Sequence, residues 1–263
     1  MKKKRIVIIT IPLVLIIGFV IYANNSSEDT DNQTQTQVQP QPQTAIQQKD
    51  NSQSANQKAT FNKKQHSLTK PNSPWVIVNK KRGIPIDYKP EIIVPNVRLR
   101  LARSSQQMQI SDTITANIQA MFAKASQDGV TLVFGSGYRS GALQQQFYNS
   151  YVTKDGRQAA DTYSARPGHS EHQTGLAFDV TSPNQTCHLE ICFADTKQGR
   201  WVKSNAHQYG FIIRYQQNKQ AITGYQYEPW HLRYVGKELA TEVYKAQLTL
   251  EEFFGLSPAS NYD

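Results

Sequence analysis

The sequence predicts an α+β domain in which helices pack against an antiparallel sheet. Apolar residues recur every three or four positions between Ser111 and Gly129, which indicates a helix early in the domain. Aromatic and branched residues are concentrated near the end, at residues 210–215 and 223–235, a composition typical of strands. Because helical and strand patterns do not alternate regularly along the chain, a parallel sheet of βαβ units is disfavoured.

The chain begins with a basic cluster followed by an uncharged apolar run. MKKKR precedes residues 6–23, and a run of about 20 apolar residues is long enough to cross a bilayer as a helix. The basic cluster is expected to stay in the cytoplasm. A cleaved signal peptide is the alternative, but its apolar region is usually shorter and ends in small residues, whereas this one ends in VIYA. We therefore expect a single-pass anchor over residues 1–23, with a domain outside the cytoplasm that is membrane-bound or, in the alternative, secreted.

The next segment, residues 24–73, is dominated by Gln, Asn, Ser, Thr, Asp and Lys. Such a composition buries too little apolar surface to offset the entropy lost on folding, so the segment is predicted to be a disordered polar linker. One folded domain remains, over residues 74–263, which is a typical domain size.

The first half of this domain is expected to contain two helices and a buried strand. Ser111 or Asp112 is the expected cap of the first helix, which Gly129 ends, and VTLVF (130–134) follows as the strand. A second helix is predicted to begin near Ala142. Its inward-facing residues are expected to be Leu143, Phe147 and Tyr151.

The second half is expected to supply the remaining strands. LAFDV (176–180), GFIIRY (210–215) and TGYQYEPWHLRYV (223–235) are the predicted strands. The last helix is predicted to follow Gly236.

Cysteine content and charge both fit an exported protein. Cys187 and Cys192 are too few to complete a structural zinc site, and in an oxidising compartment their closeness predicts a small loop closed by a disulfide. The net charge of +9 suits an anionic cell wall or phospholipid surface. Nucleic acid is not an expected partner, because the sequence has no basic stripe with interleaved aromatic residues.

Among the histidines, two stand near carboxylates in a pattern that suits a catalytic metal. His172, Asp179 and His231 together offer the three nitrogen and oxygen ligands common in catalytic zinc sites, which keep a fourth position for water. Glu228, three residues before His231, is placed to act as a general base. On residue types alone chance remains an alternative, since a His and an Asp seven residues apart are common. Three other histidines are expected to be solvated or structural: His66, His188 and His207.

Two motifs in this region resemble those of the M15 metallopeptidases. SEHQTGLAFD fits the pattern S-x-H-x-x-G-x-A-x-D, and EPWH fits E-x-x-H. The likeness extends through SGYRS, FADTKQGRW and GFIIRY, and covers about residues 75–250. This family includes the VanY-type D-alanyl-D-alanine carboxypeptidases and their L,D-carboxypeptidase relatives. The resemblance implies a single zinc peptidase domain.

The resemblance also implies roles for individual residues. His172, Asp179 and His231 match the zinc ligands, and Glu228 matches the catalytic base. Arg139 matches an arginine that faces the scissile carbonyl oxygen, so it is expected to serve both catalysis and substrate binding. Three further matches, expected to line the substrate pocket, are Gln144, Ser170 and Tyr215.

The function implied is a zinc-dependent carboxypeptidase that removes the C-terminal D-alanine from peptidoglycan stem peptides, acting as a monomer. No residue decides between D-Ala-D-Ala ends, the L,D ends of tetrapeptide stems, and endopeptidase action on the wall. A wall-binding module without turnover is the non-enzymatic alternative. Glu228 argues against it, because simple binding gives a general base no role.

Overall fold

The computed structural model describes residues 61–262. The predicted anchor over residues 1–23 and the linker up to residue 60 lie outside the described residues. Within residues 61–262, no helix combines the length and apolar character needed to cross a membrane.

In the described part of the chain, six short strands form two antiparallel sheets. In chain order they are β1 (Ile92–Ile93), β2 (Ile110–Ser111), β3 (Val133–Ser136), β4 (Ala177–Thr181), β5 (Phe211–Ile213) and β6 (His231–Tyr234). β1 pairs with β2, and the other four form a sheet in the order β3-β4-β6-β5. All pairings between these six strands are antiparallel, so the predicted α+β fold class is confirmed.

Seven α-helices accompany the four-stranded sheet within residues 61–262. They are α1 (Asp112–Gln127), α2 (Gly141–Asp155), α3 (Arg157–Tyr163), α4 (Lys197–Asn205), α5 (Gln220–Thr223), α6 (Lys237–Ala246) and α7 (Leu250–Phe254). The apolar face predicted for α1 is buried, and its residues share a core with the aromatic side chains of the sheet. In that core the Phe178 ring stacks on Phe134 at 5.2 Å and meets the edge of Phe211 at 5.4 Å.

The register of the sheet places Asp179 between two polar neighbours. Asp179 on β4 is opposite His231 on β6, and on the other side it is opposite Ser136 on β3. The β3–β4 register shifts between Phe134 and Ser136, which leaves Gly135 as an extra residue in a bulge. Bulges of this kind reorient side chains, and here Ser136 faces the Asp179 carboxylate.

One predicted strand, one helix face and the position of the last helix need correction. Residues 223–235 form a strand only from His231, because α5 ends at Thr223 and an irregular segment containing Pro229 follows. The buried side chains of α2 are Gln144 and Tyr148, rather than the apolar residues predicted to face inward. Leu143 and Phe147 are only partly buried, and Tyr151 is 37 % exposed. The helix predicted to be the last is α6, but α7 follows it.

The predicted linker boundary at residue 73 also lies too far along the chain. The Phe61 ring stacks on Trp75 at 5.5 Å, and Lys63 donates a hydrogen bond to the carbonyl of Phe253. Leu68 packs against the smaller of the two apolar cores. Residues 61–73 are therefore part of the folded domain, held by apolar contacts that are few and widely spaced in the sequence.

Candidate metal and catalytic site

The three predicted ligands come from three different elements. His172 lies in a 3₁₀ turn over Glu171–Thr174, Asp179 on β4 and His231 at the start of β6. Gly175 ends the turn in the left-handed region, with φ of 68°. A Cβ at this position would come within 2.9 Å of Pro90 and 3.1 Å of the Ser111 amide. Glycine is therefore required where the chain turns from His172 into β4.

The structure brings these three side chains together. His172 Nε2 lies 3.5 Å from Asp179 Oδ2, and His231 Nδ1 lies 3.3 Å from Asp179 Oδ1. One ligand atom from each side chain can be chosen so that all three lie within 4.8 Å of one another. All three residues are buried.

This arrangement fits a zinc ion. Ligand atoms about 2.0–2.1 Å from a tetrahedral zinc lie about 3.3 Å apart, close to the two distances observed. Asp179 Oδ1 is buried and has no hydrogen-bond partner, a costly state for a carboxylate oxygen unless it has another ligand. A divalent cation among these three groups would satisfy it.

Hydrogen bonds behind the ligands fix their orientation. His172 Nδ1 lies 2.7 Å from the carbonyl oxygen of Gly137, so it is the donor and Nε2 faces Asp179. Ser136 Oγ donates to Asp179 Oδ2. Supporting contacts of this kind commonly hold metal ligands in place.

Burial and neighbouring charges shift the pKa values of the ligands. Burial by itself raises the pKa of Asp179, but the two adjacent imidazoles outweigh it and hold the pKa well below its usual range. Burial lowers the pKa of His172. Burial also acts to lower the pKa of His231, yet the carboxylates of Asp179 and Glu171 raise it to about 9. Metal binding at His231 therefore has to displace a proton.

Glu228 lies beside the ligands without being one of them. Its Oε2 is 3.8 Å from His231 Nδ1, and its backbone is held by a hydrogen bond from the Glu228 amide to the Tyr215 carbonyl at 3.0 Å. Burial raises the pKa of Glu228 to about 8, with His231 opposing the shift. A nearby cation would lower this value, since positive charge favours the carboxylate. The side chain is thus able to exchange a proton near neutral pH, as a general base must.

Arg139 lines the same site, and contacts with Gln144 and Phe147 hold its side chain in place. Its NH1 group donates to Gln144 Oε1 at 2.9 Å, and its guanidinium lies over the Phe147 ring at 5.2 Å. Gln144 is anchored in turn by a 2.6 Å hydrogen bond from its Nε2 to the Ala165 carbonyl. The Arg139 Nε atom is buried without a hydrogen-bond partner, which leaves a donor available to a ligand.

A cleft of about 260 Å³ opens over the ligands. Of the residues predicted to contact substrate, Arg139, Ser170 and Tyr215 line this cleft, whereas Gln144 does not and instead positions Arg139. The aromatic and large apolar lining residues that sequence reasoning did not assign to the pocket are Tyr151, Tyr163, Leu189, Tyr225 and Trp230. Aromatic and apolar residues occur both in cleft walls and in cores, so the sequence alone does not show which of the two these residues form.

Comparison with known proteins decides the family. A family described as VanY, D-alanyl-D-alanine carboxypeptidase, matches residues 107–237. The putative carboxypeptidase YodJ of Bacillus subtilis (strain 168) is 40 % identical over 189 residues, which are 72 % of this chain and 69 % of YodJ. The chain belongs to the VanY family. A D-alanyl-D-alanine carboxypeptidase of Enterococcus faecalis (strain V583) is 35 % identical over 187 residues, 68 % of this chain and 64 % of that protein.

Solved structures of related peptidases share the fold, and one of them contains zinc. The LdcB LD-carboxypeptidase superposes with a TM-score of 0.68 at 40 % identity, covering 71 % of this chain and 88 % of LdcB. A mutant of the vancomycin resistance D,D-pentapeptidase VanY, solved with Zn(II), gives a TM-score of 0.57 at 34 % identity, covering 68 % and 97 %. As a VanY-family member the chain is a zinc metallopeptidase of the carboxypeptidase class.

In this VanY-family chain the two cysteines are paired, as predicted. Cys187 and Cys192 form a disulfide within the described residues. The loop that it closes carries Leu189, which is 45 % exposed and lines the catalytic cleft. The disulfide therefore constrains a segment that forms part of the cleft.

Sequence reasoning also missed Glu171, which contacts a metal ligand. It is fully buried next to His172, and its Oε2 lies 3.4 Å from Nε2 of His231. Its charge is balanced by Arg214 and Arg233. The SEH stretch and the arginines in GFIIRY and HLRY are visible in the sequence, but nothing in their spacing shows that they meet.

Proposed function

We propose that the protein is a zinc carboxypeptidase that removes the C-terminal D-alanine from peptidoglycan stem peptides. The observation that carries this proposal is the convergence of His172, Asp179 and His231 in one cleft with Glu228 and Arg139. Relatives and solved neighbours named as carboxypeptidases of D-Ala-D-Ala or peptidoglycan support the substrate class.

Each of these cleft residues has a separate role in the proposed reaction. His172, Asp179 and His231 would hold the zinc ion, which would supply an activated water and polarise the peptide carbonyl. Glu228 takes the proton of the attacking water and delivers it to the departing amine of the terminal D-alanine. Arg139 donates hydrogen bonds to the carbonyl oxygen as negative charge develops there.

Two end preferences are compatible with these residues. D-Ala-D-Ala pentapeptide ends are the first candidate, in line with the D-alanyl-D-alanine carboxypeptidases among the relatives. L,D cleavage of tetrapeptide stems is the second, and the higher TM-score to the LD-carboxypeptidase LdcB favours it. Endopeptidase action and wall binding without turnover have less support, the latter because Glu228 would have no use.

A stem-peptide comparison tests the proposal. The full chain in detergent is incubated with pentapeptide and tetrapeptide stems, and D-alanine release is followed by mass spectrometry with and without a chelator. Release from the pentapeptide alone indicates D,D specificity, and release from the tetrapeptide alone indicates L,D specificity. Release that persists after complete zinc removal would refute the metal mechanism.

For location, we propose a single-pass anchor at residues 1–23 that places a monomeric domain outside the cytoplasm, next to the cell wall. The basic cluster and apolar run of the sequence support it, as does the disulfide, a bond typical of exported proteins. Activity is expected to fractionate with membranes. Mature protein found entirely in the medium would overturn the anchor in favour of a cleaved signal peptide.

A further inference from the structure

Behind the metal site lies a buried cluster of four charged side chains, Glu171, Arg214, Arg233 and Glu251, each at most 1 % exposed. The two negative and two positive charges balance. Burying such groups is costly, and replacing a buried ion cluster with apolar residues is often neutral or stabilising. Stability alone is therefore a weak reason for this cluster, and its contact with the metal site suggests another.

The two oxygens of Glu171 have different partners. Oε1 accepts hydrogen bonds from Arg214 Nε at 2.8 Å and from Arg233 NH1 at 2.9 Å. Oε2 faces His231 Nε2 at 3.4 Å. The arginines thus fix the carboxylate in place while leaving one oxygen directed at a metal ligand.

This arrangement decides which nitrogen of His231 carries the proton. A carboxylate between two guanidinium groups is ionised and only accepts hydrogen bonds. The nitrogen facing it, Nε2, must then keep its proton as the donor when the ring is neutral, so Nδ1, 3.3 Å from Asp179 Oδ1, is the nitrogen that loses its proton to bind the metal. His172 has the opposite arrangement, because its Nδ1 faces the Gly137 carbonyl.

We propose that Glu171 is a positioning residue that fixes the tautomer and the ring orientation of His231, and that Arg214 and Arg233 hold Glu171 for this task. The proposal rests on the zinc site of the proposed function. Glu171 touches neither substrate nor reacting atoms in this assignment. Its effect reaches the reaction only through His231.

Glu251 provides a matched control in the same cluster. Its carboxylate accepts hydrogen bonds from Arg214 NH1 and NH2, at 2.9 and 2.6 Å, and from Asn79 at 2.8 Å. It has no contact with His231. Glu251→Gln therefore removes a buried charge from the cluster without removing the acceptor of the His231 proton.

The experiment measures zinc affinity by competition with a chromophoric chelator, using the full chain in detergent. Glu171→Gln is expected to weaken zinc binding by about 10- to 100-fold, the usual effect of losing a group that orients a metal ligand. Glu251→Gln is expected to leave zinc affinity within about twofold of the wild type while lowering the thermal unfolding midpoint of the zinc-free protein. Nitrogen NMR of the zinc-loaded wild type should show a protonated Nε2 and a metal-bound Nδ1 on His231.

Three outcomes would overturn the proposal: unchanged zinc affinity in folded Glu171→Gln, an equal loss in Glu251→Gln, or zinc bound through Nε2 of His231. If Glu171→Gln does not fold, Glu171→Asp replaces it, since it keeps the charge but is too short to contact both arginines and His231. Unchanged zinc affinity in folded Glu171→Asp would then overturn the proposal. Failure of the proposed function would appear separately, as an absence of D-alanine release by a wild type that binds zinc.

Discussion

Asp179 is the residue on which the geometry of the site depends. It sits on β4, an inner strand of the four-stranded sheet, and each of its oxygens faces one imidazole. Backbone pairing with β6 places His231 opposite it, while His172 arrives from a turn that ends at Gly175. The sheet register therefore fixes two ligands, and the turn has to deliver only the third.

Removing the base should separate binding from turnover. Glu228→Gln keeps the shape of the side chain but cannot accept the proton of the attacking water. We expect kcat to fall by about 10² to 10⁴-fold, the usual contribution of general base catalysis, while zinc affinity stays near that of the wild type. Stem-peptide hydrolysis and chelator competition provide the two measurements. Turnover close to normal would mean that another group is the base.

Arg139 and Gln144 should behave as a catalytic residue and its support. Arg139→Ala removes a donor to the developing oxyanion and is expected to lower kcat by about 10²-fold or more. Gln144→Ala leaves Arg139 without the acceptor of its NH1 group, so a smaller loss is expected. Kinetics of stem-peptide cleavage check both.

The control for this pair is Gln145→Ala, an exposed neighbour on the same helix whose side-chain amide donates a hydrogen bond to Asn149. It should leave kcat unchanged. A Gln144→Ala enzyme with wild-type kcat would show that Arg139 does not need this support.

At the scale of elements, a sequence prediction is correct where the buried face of the element is apolar and periodic, and wrong where that face is polar. α1 was predicted correctly because one apolar face packs on the sheet and repeats with helical period. The buried face of α2 was wrong because it carries Gln144, which is buried for its hydrogen bonds to Arg139 and Ala165. Periodicity cannot distinguish such a polar buried side chain from an exposed one.

The residues of the site also divide into those that a sequence signal predicts and those that it does not. The zinc ligands and Glu228 were predicted from motifs and are brought together by the structure. Glu171 was not predicted, because its partners Arg214 and Arg233 are distant in sequence and buried charges have no characteristic spacing. Their pairing is a consequence of tertiary structure alone.

The loop closed by Cys187 and Cys192 gives a prediction at the scale of an element. Alkylation of the folded, unreduced protein should label no cysteine, and alkylation after reduction in denaturant should label both. Because Leu189 on this loop lines the cleft, reduction is expected to raise KM for stem peptides more than it lowers kcat. Labelling of both thiols without reductant would contradict the pairing, and unchanged KM after reduction would show that the loop holds its shape without it.

At the scale of the whole molecule, positive charge dominates the chain but not its interior. The net charge is +9, yet the buried cluster of Glu171, Arg214, Arg233 and Glu251 is neutral. The excess positive charge therefore lies outside this cluster, where it suits an anionic wall. The cluster instead makes the stability of the domain sensitive to acid.

The sensitivity of stability to acid follows from the pKa values of the buried carboxylates of Glu171 and Glu251. Burial by itself raises the pKa of Glu251, but the charge of Arg214 outweighs it, so the pKa in the folded state lies below the usual value of 4.5. The pKa of Glu171 is lowered in the same way by Arg214 and Arg233. A carboxylate with a lowered pKa contributes stability above its unfolded pKa, and this contribution is lost as the pH falls toward its folded pKa.

We therefore expect the unfolding free energy of the zinc-free protein to fall as the pH is lowered below about 4.5. In Glu251→Gln the protein should be less stable at pH 7, and the slope below pH 4.5 should be smaller by up to about one proton, or about 1.4 kcal/mol per pH unit. Zinc-free protein is used so that metal release adds no pH dependence. Denaturant unfolding between pH 3 and 7 measures the slope, and equal acid slopes in the variant and the wild type would show that the Glu251 carboxylate is not a source of the acid sensitivity.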